Sequence, residues 1–213
     1  MPDFPPVYCL TIREQPYRRH LTDAHLLERG IQAKWVNGIY GPTSGLAPRL
    51  GHTFMANGKE EYMHPNLVAC VLSHLFGLEM GLADGCDEFF VMEDDVCLET
   101  NFKLDWVTNR SLVPNTIDVV QCAIIASEDK PQEPINEFLA HCYYPFCSAC
   151  NWWRRRGAEL AVRNMKPINS PVDIMFMDRV FPFLGHAITT ARLAWDHSGS
   201  GRTDQWPSLV NPR

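Results

Sequence analysis

The chain has 213 residues, 46% of them hydrophobic, and carries a formal net charge of -6 with a pI of about 5.7. This length and apolar content suit one domain, residues 1–213, built around a single core. The acidic balance argues against a nucleic-acid partner, because proteins that track phosphates usually carry a basic excess.

The first predicted elements alternate between strand and helix. Residues 7–12, VYCLTI, form a predicted strand, and the spacing in PYRRHLTDAHLLERG predicts a helix that ends at Gly30. Residues 33–41, AKWVNGIYG, predict a second short strand. The Gly- and Pro-rich segment 41–66 is then predicted to be a long ordered loop, a feature that often serves as a lid or a binding loop.

The next elements place three acids at the end of a strand. Apolar residues at helical spacing predict a helix over 66–83, with Pro65 at its start and Gly85 as its stop. The run DEFFVM, residues 87–92, follows as a predicted buried strand. The acidic residues 93–95 come directly after that strand.

The second half of the chain continues the alternation. We predict strands over 118–125, 146–153 and 187–195, a polar surface loop over 127–137, and helices over 155–165 and 171–181. Alternating strands and helices predict an α/β sheet with helices on both faces, in which ligands bind beyond the carboxyl ends of the strands. The three acids lie at such an end.

The sequence also bears on location and cysteine chemistry. The start MPDFPPVYCLTI has no basic flank followed by a long apolar core, and no apolar run approaches the roughly 18 residues needed to span a bilayer. Most of the eight cysteines lie in apolar runs such as LVACVLSH, which is typical of reduced core thiols. We therefore expect a soluble, cytoplasmic protein without a transmembrane segment.

The acidic triplet is the strongest candidate for a site. Adjacent anions repel each other, so water or a cation must offset their charge. Side-chain alternation along a strand predicts Glu93 and Asp95 on one side and Asp94 on the other. Two carboxylates on one side suit Mg²⁺ or Mn²⁺, whereas a solvated polar loop is the alternative.

The order of the sequence blocks resembles glycosyltransferase family 25, which includes lipooligosaccharide and collagen galactosyltransferases. The resemblance extends over nearly the full length, and its most specific part is the Ser-His pair followed by EDDV. The matching blocks are VYCLTIREQPYRRHLTDAHLLERGI, VNGIYG, LVACVLSHLFGLEMGLADGCDEFFVMEDDV, CNWWRRRGAELAV and PVDIMFMD.

The resemblance implies a GT-A type nucleotide-diphospho-sugar transferase fold, with a central mixed, mostly parallel sheet flanked by helices. It also implies a D-x-D-like motif for Mn²⁺ or Mg²⁺, with Glu93 and Asp95 in the outer positions and Asp94 in the middle. In such folds the last acid usually ligates the cation and the first often contacts the ribose or sugar. A late histidine often completes the metal shell, which makes His197 a candidate ligand; an exposed tail residue is the alternative.

Several residues could bind the nucleotide-sugar. Arg13 and Arg18 follow the first strand and could hold a diphosphate through paired donors, although a solvated basic face is the alternative, most of all for the neighbouring Arg19. Asn37, with the glycine after it, could line the nucleoside pocket or form a plain turn. Ser73 and His74 lie in the middle of the predicted helix 66–83. A helix histidine is usually structural, but the resemblance favours a role for this pair in supporting the metal motif or contacting the sugar.

The predicted catalytic base is Asp173, with Asp178 as the fallback. The family's usual inverting outcome implies a direct displacement, which needs a carboxylate to take the proton of the acceptor hydroxyl. The alternative role of Asp173 is electrostatic, because a carboxylate in the first turn of a helix stabilises the helix dipole.

The leading hypothesis is thus a metal-dependent glycosyltransferase that moves a hexose, most simply galactose, from a UDP-sugar to a saccharide or glycan hydroxyl. One alternative is a non-catalytic module of the same fold that binds a nucleotide-sugar. Another is a Cys-rich zinc or redox protein based on HCYYPFCSAC, although no second C-x-x-C accompanies the one at Cys147 and Cys150.

Overall fold

A computed structural model describes residues 3–46, 49–52, 60–123, 132–142 and 146–196. The helices are α1 (Pro16–Glu28), α2 (Pro65–Ala83), α3 (Phe102–Asn109), α4 (Arg155–Asn164) and α5 (Val172–Arg179). The strands are β1 (Val7–Thr11), β2 (Ala33–Asn37), β3 (Arg49–His52), β4 (Glu60–Met63), β5 (Glu88–Glu93), β6 (Val96–Leu98), β7 (Val119–Gln121), β8 (Gln132–Pro134), β9 (Leu139–Cys142), β10 (Cys150–Arg154), β11 (His186–Thr189) and β12 (Ala194–Asp196).

The described strands build one large mixed sheet in the order β2-β1-β5-β10-β7-β11-β9-β8. Strand β1 runs parallel to β2 and β5, and β7 runs parallel to β11. Strand β10 is antiparallel to both of its neighbours, β5 and β7. The predicted α/β architecture, a mixed sheet flanked by helices, is confirmed.

The sheet buries both of its faces, as the sequence pattern requires. Successive side chains of a strand point to opposite faces, so Phe89 and Val91 enter one core while Phe90 and Met92 enter the other. Residues of α2, α4 and α5 line the first core, and residues of α1 and α3 line the second. All four of these strand residues are fully buried.

Helix α2 packs closely on the sheet. A Cβ on Gly77 would come within 2.9 Å of Leu10, and one on Gly81 would come within 2.5 Å of the Phe89 ring. An 18-residue stretch of this 19-residue helix has a mean hydropathy of 1.5, so its length and composition alone would permit a membrane span. Half of this apolar stretch is buried inside the fold, and we therefore interpret α2 as a core helix.

Three sequence predictions, two of loops and one of a single continuous strand, are wrong in detail. Segment 41–66 contains the two paired strands β3 and β4 and the first turn of α2. The part of loop 127–137 that the structure describes contains the edge strand β8. The predicted strand 187–195 divides into β11, in the large sheet, and β12, which pairs with β6. The strands β3 and β8 pair with the next strands along the chain, β4 and β9. Strand β12 pairs with a strand distant in sequence, which local pattern does not reveal.

Candidate active site

The predicted site lies where β1, β2 and β5 end together. The three strands are parallel and adjacent, so their carboxyl ends meet at one edge of the sheet. Glu93 is the last residue of β5, and Asp94 and Asp95 form the tight turn that leads into β6. Arg18 reaches the same turn from the beginning of α1, because α1 follows β1 directly.

Arg18 binds two of the three acids. Its Nη2 atom lies 2.6 Å from Asp94 Oδ1 and 2.8 Å from Asp95 Oδ2, and all three side chains are buried. The hydroxyl of Thr22 donates a hydrogen bond to the backbone carbonyl of Asp94. The predicted alternation of the acids is wrong, because the strand ends at Glu93 and the following turn lets Asp94 and Asp95 share one guanidinium.

Glu93 pairs with the predicted residue His74. The Nε2 atom of His74 lies 2.8 Å from Glu93 Oε1, and the His74 ring packs edge-on against Phe176. Burial opposes ionisation of Glu93, but the hydrogen bond with His74 and the charges of His74 and Arg18 outweigh it and lower the pKa of Glu93. Helix α2 therefore holds an ionised carboxylate at the end of β5.

The cluster carries more negative charge than Arg18 offsets. Burial, reinforced by the charge of Glu93, raises the pKa of Asp94 in spite of the adjacent guanidinium. Burial opposes the charge of Arg18, but Asp95 and Asp94 outweigh it and raise the pKa of Arg18. Carboxylate oxygens are the ligands that Mg²⁺ and Mn²⁺ prefer, so the donor set of Glu93 and Asp95 fits a hard divalent cation.

Asp173 lies in the first turn of α5, close enough to Glu93 and His74 to be affected by their charges. Burial, with a contribution from Glu93, raises the pKa of Asp173 from 3.8 to about 6. The hydroxyl of Ser148 donates a hydrogen bond to Asp173 Oδ1. Asp178 is exposed and, five residues further along α5, points about 140° around the helix from Asp173.

Ser148 is a site residue that sequence reasoning missed. It is buried in the irregular segment before β10, next to Cys147, whose φ of 88° is unusual for a residue other than glycine. The sequence pattern FCSAC predicts a strand there, and nothing in it indicates a turn aimed at α5. A strained backbone beside a partly buried carboxylate is a common feature of functional sites.

Ser73 has a clear structural role. Its hydroxyl donates to the carbonyl of Ala69 at 2.8 Å and accepts from the N–H of Ile39 at 3.1 Å. A Cβ on Gly38 would lie 2.6 Å from Ser73 Oγ, so the segment after β2 fits against α2 only with glycine there. Ser73 thus connects α2 to the end of β2, where the predicted nucleoside residue Asn37 is exposed.

The remaining predicted residues are spread around this centre. Arg13 is exposed in the turn between β1 and α1, and the guanidinium of Arg19 lies 5.0 Å from the ring of Trp35. His197, the predicted late metal ligand, lies outside the described residues. Of the three arginines after β1, the one that contacts the acids is Arg18.

The alternative Cys-rich site receives no support from the described geometry. Cys142, Cys147 and Cys150 are all buried and reduced. In the described part of the chain, the His, Cys, Asp and Glu side chains close enough together to share a metal do not include any of these three. The expected reduced core thiols are confirmed, since six of the eight cysteines are buried and all are free.

Comparison with known proteins places the chain in a family. The profile of Glycosyltransferase family 25 (LPS biosynthesis protein) matches residues 4–129, more than half of the chain. The crystal structure of a glycosyltransferase involved in the glycosylation of the major capsid of PBCV-1 aligns with 86% of this chain and 81% of its own, at 14% identity and a TM-score of 0.48. No curated protein matches the sequence. The matched region contains β1, α1, α2 and the acidic turn after β5, and the chain belongs to glycosyltransferase family 25.

Proposed function

We propose that the protein is a metal-dependent glycosyltransferase that moves a hexose, most simply galactose, from a UDP-sugar to a hydroxyl of a saccharide or glycan, with inversion. Membership of the family supports glycosyl transfer. The observation that supports a metal-assisted transfer with a general base is the meeting of two kinds of carboxylate at one edge of the sheet. Glu93 is held ionised by His74, and Asp173 has a pKa of about 6.

Asp173 acts as the general base. Below neutral pH its carboxylate binds a proton much more readily than an exposed aspartate, yet it is mostly ionised at pH 7 because its pKa is about 6. A base with a pKa near the working pH both exists in the right form and accepts a proton effectively. The Ser148 hydroxyl and the backbone N–H of Cys147 both donate hydrogen bonds to this carboxylate and hold it in one orientation.

The strand-end acids and Arg18 form the donor side of the site. Asp95 and Glu93 are the residues that would hold Mn²⁺ or Mg²⁺, and such an ion offsets the charge that develops on a departing diphosphate. Arg18 fixes Asp94 and Asp95 in one geometry and keeps a positive charge beside them. A guanidinium in this position also suits the phosphate oxygens of a nucleotide-sugar.

The test measures free UDP released by the purified protein. UDP-galactose and other UDP-sugars are incubated with saccharide acceptors in the presence of Mn²⁺ or of a chelator. We expect metal-dependent UDP release with at least one donor. Failure of every donor, together with a lack of metal-dependent nucleotide binding, would refute the proposal.

A non-catalytic module that binds a nucleotide-sugar is the second candidate. The observation in its favour is that Arg18 already neutralises much of the Asp94 and Asp95 charge, as a cation would. Calorimetry separates the two functions. A module would bind a UDP-sugar and never release UDP, and replacing Asp173 with Asn would not change either result.

A further inference from the structure

A cysteine lies beside the His74–Glu93 pair, on the same face of α2. Cys70 and His74 are four residues apart, so the helix stacks them one turn above the other, both facing the end of β5. The ligand atoms of Cys70, His74 and Glu93 all lie within 4.8 Å of one another. They are the only such group in the part of the chain that the structure describes.

These three side chains combine a thiol, an imidazole and a carboxylate. Tetrahedral Zn²⁺ binds all three ligand types at about 2.0–2.3 Å, which places its ligand atoms about 3.5 Å apart. The ligand atoms of His74 and Glu93 are 2.8 Å apart and the other pairs no more than 4.8 Å apart, which are distances on the scale of that spacing. Sulfur and imidazole ligands select Zn²⁺ or Co²⁺, whereas the Asp94 and Asp95 carboxylates suit Mg²⁺ or Mn²⁺.

The surroundings of these three side chains favour specific binding of an ion over adventitious binding. His74 is only 1% exposed, Cys70 and Glu93 are partly buried, and the imidazole is already oriented by Glu93 and by the ring of Phe176. Burial, with the charges of Glu93 and Asp173, raises the pKa of the Cys70 thiol, so the thiol loses its proton only as the metal binds, while the same negative charges attract a cation. The partial exposure of Glu93, 28% for its side chain, leaves a path for the ion and for a water in the fourth position.

We propose that Cys70, His74 and Glu93 form a binding site for a zinc-class divalent ion. On binding, the Cys70 thiol releases its proton to solvent, and His74 gives up its Nε2 proton to become the neutral imidazole protonated on Nδ1. The hydrogen bond between His74 Nε2 and Glu93 is thereby replaced by a bond from each residue to the metal. The site goes beyond the proposed sugar transfer and does not depend on it, because no part of the argument uses a nucleotide or a sugar. Glu93 is shared with the proposed donor cation, so Zn²⁺ and Mn²⁺ would compete for it.

The test is the absorption spectrum of the full-length protein titrated with Co²⁺. A thiolate ligand produces a sulfur-to-cobalt charge-transfer band in the near ultraviolet, which carboxylates and imidazoles alone do not produce. We expect this band in the wild-type protein, and we expect Cys70→Ser and Cys70→Ala to abolish it. Cys86→Ser is the matched control, because Cys86 is also partly buried but contacts Tyr8 and lies after the carboxyl end of α2.

A second measurement needs no variant. Alkylation of the wild-type cysteines, mapped by mass spectrometry, should show that Zn²⁺ slows modification of Cys70 at least tenfold and leaves Cys86 unchanged. The proposal is wrong if Zn²⁺ gives Cys70 no protection, if the wild type shows no charge-transfer band, or if the band persists in folded Cys70 variants. A protein that transfers no sugar can still pass both tests, so this site and the proposed function fail separately.

Discussion

The carboxylate of Asp173 makes the pH dependence of the reaction predictable. Its pKa of about 6 means that the base is lost as the pH falls through 6. We expect the rate of transfer to decline about tenfold per pH unit below that value, as expected for a single essential base. The pH profile of UDP release under saturating donor measures this directly, and a rate that stays constant down to pH 5 would exclude Asp173 as the base.

The variant Asp173→Asn should also be more stable than the wild type at pH 7. Between about pH 4 and 6 the folded state holds a proton on Asp173 that the unfolded chain releases, so wild-type stability falls as the pH rises through this window. Asn carries no charge and escapes that cost, which is roughly 1–3 kcal/mol for a shift of about two pKa units. Urea unfolding at pH 7 and at pH 3.5 tests the sign: the gain should be present at pH 7 and absent at pH 3.5.

The pairing of His74 with Glu93 predicts a cost in stability when the histidine is removed. His74→Ala leaves the partly buried carboxylate without its hydrogen bond and opens a space beside Phe176. We expect a loss of about 1–3 kcal/mol in the free energy of unfolding, together with a rise in the pKa of Glu93. His20→Ala on the exposed face of α1 is the control and should change stability by less than about 0.5 kcal/mol. Equal effects of the two variants would contradict the pairing.

At the scale of elements, the contact of α2 with β5 depends on glycine. A Cβ on Gly81 would meet the ring of the fully buried Phe89 at 2.5 Å. Although Ala favours helix more than Gly by about 1 kcal/mol, the overpacking should dominate, and Gly81→Ala should destabilise the protein by about 1–3 kcal/mol. Thermal unfolding of this variant, beside the exposed control Glu79→Ala, measures the difference. A Gly81→Ala protein as stable as the wild type would show that the core relaxes freely there.

The elements differ in how far sequence alone predicts them. Helix α2 and strand β5 were predictable because apolar periodicity is local and each turns a continuous apolar face to the core. Strand β12 was not, because it leaves the large sheet to pair with β6, about a hundred residues earlier in the chain. Sequence pattern indicates that a segment is extended but does not identify its partner.

The residues of the candidate site also differ in how far sequence alone predicts them. The acids come at the end of a predicted strand, and Arg18 and His74 lie on predicted helices. All were predicted as site residues, and the structure brings them together. Ser148 and Cys70 were missed, since a serine in an irregular turn and a cysteine in an apolar helix carry no signal of their own. Their significance comes from what tertiary packing places opposite them: Asp173 in one case and Glu93 in the other.

At the scale of the whole molecule, the site joins distant parts of the chain. The acidic turn and α2 lie within the region that matches the family, residues 4–129, whereas Asp173 on α5 lies outside it. The contact between Phe176 and His74 is one of those that hold α5 against α2. The proposed reaction needs both the donor acids and the base, so it requires both parts of the chain.

The most direct test compares the wild type with Asp173→Asn in UDP release from a set of UDP-sugars, with Mn²⁺ and a mixture of oligosaccharide acceptors. General-base catalysis contributes about 10²–10⁴-fold, so we expect the variant to release UDP at least a hundredfold more slowly while it binds the donor as tightly as the wild type. Equal rates in the two proteins would contradict the role of Asp173. A wild type that binds UDP-sugars without ever releasing UDP would contradict catalysis itself.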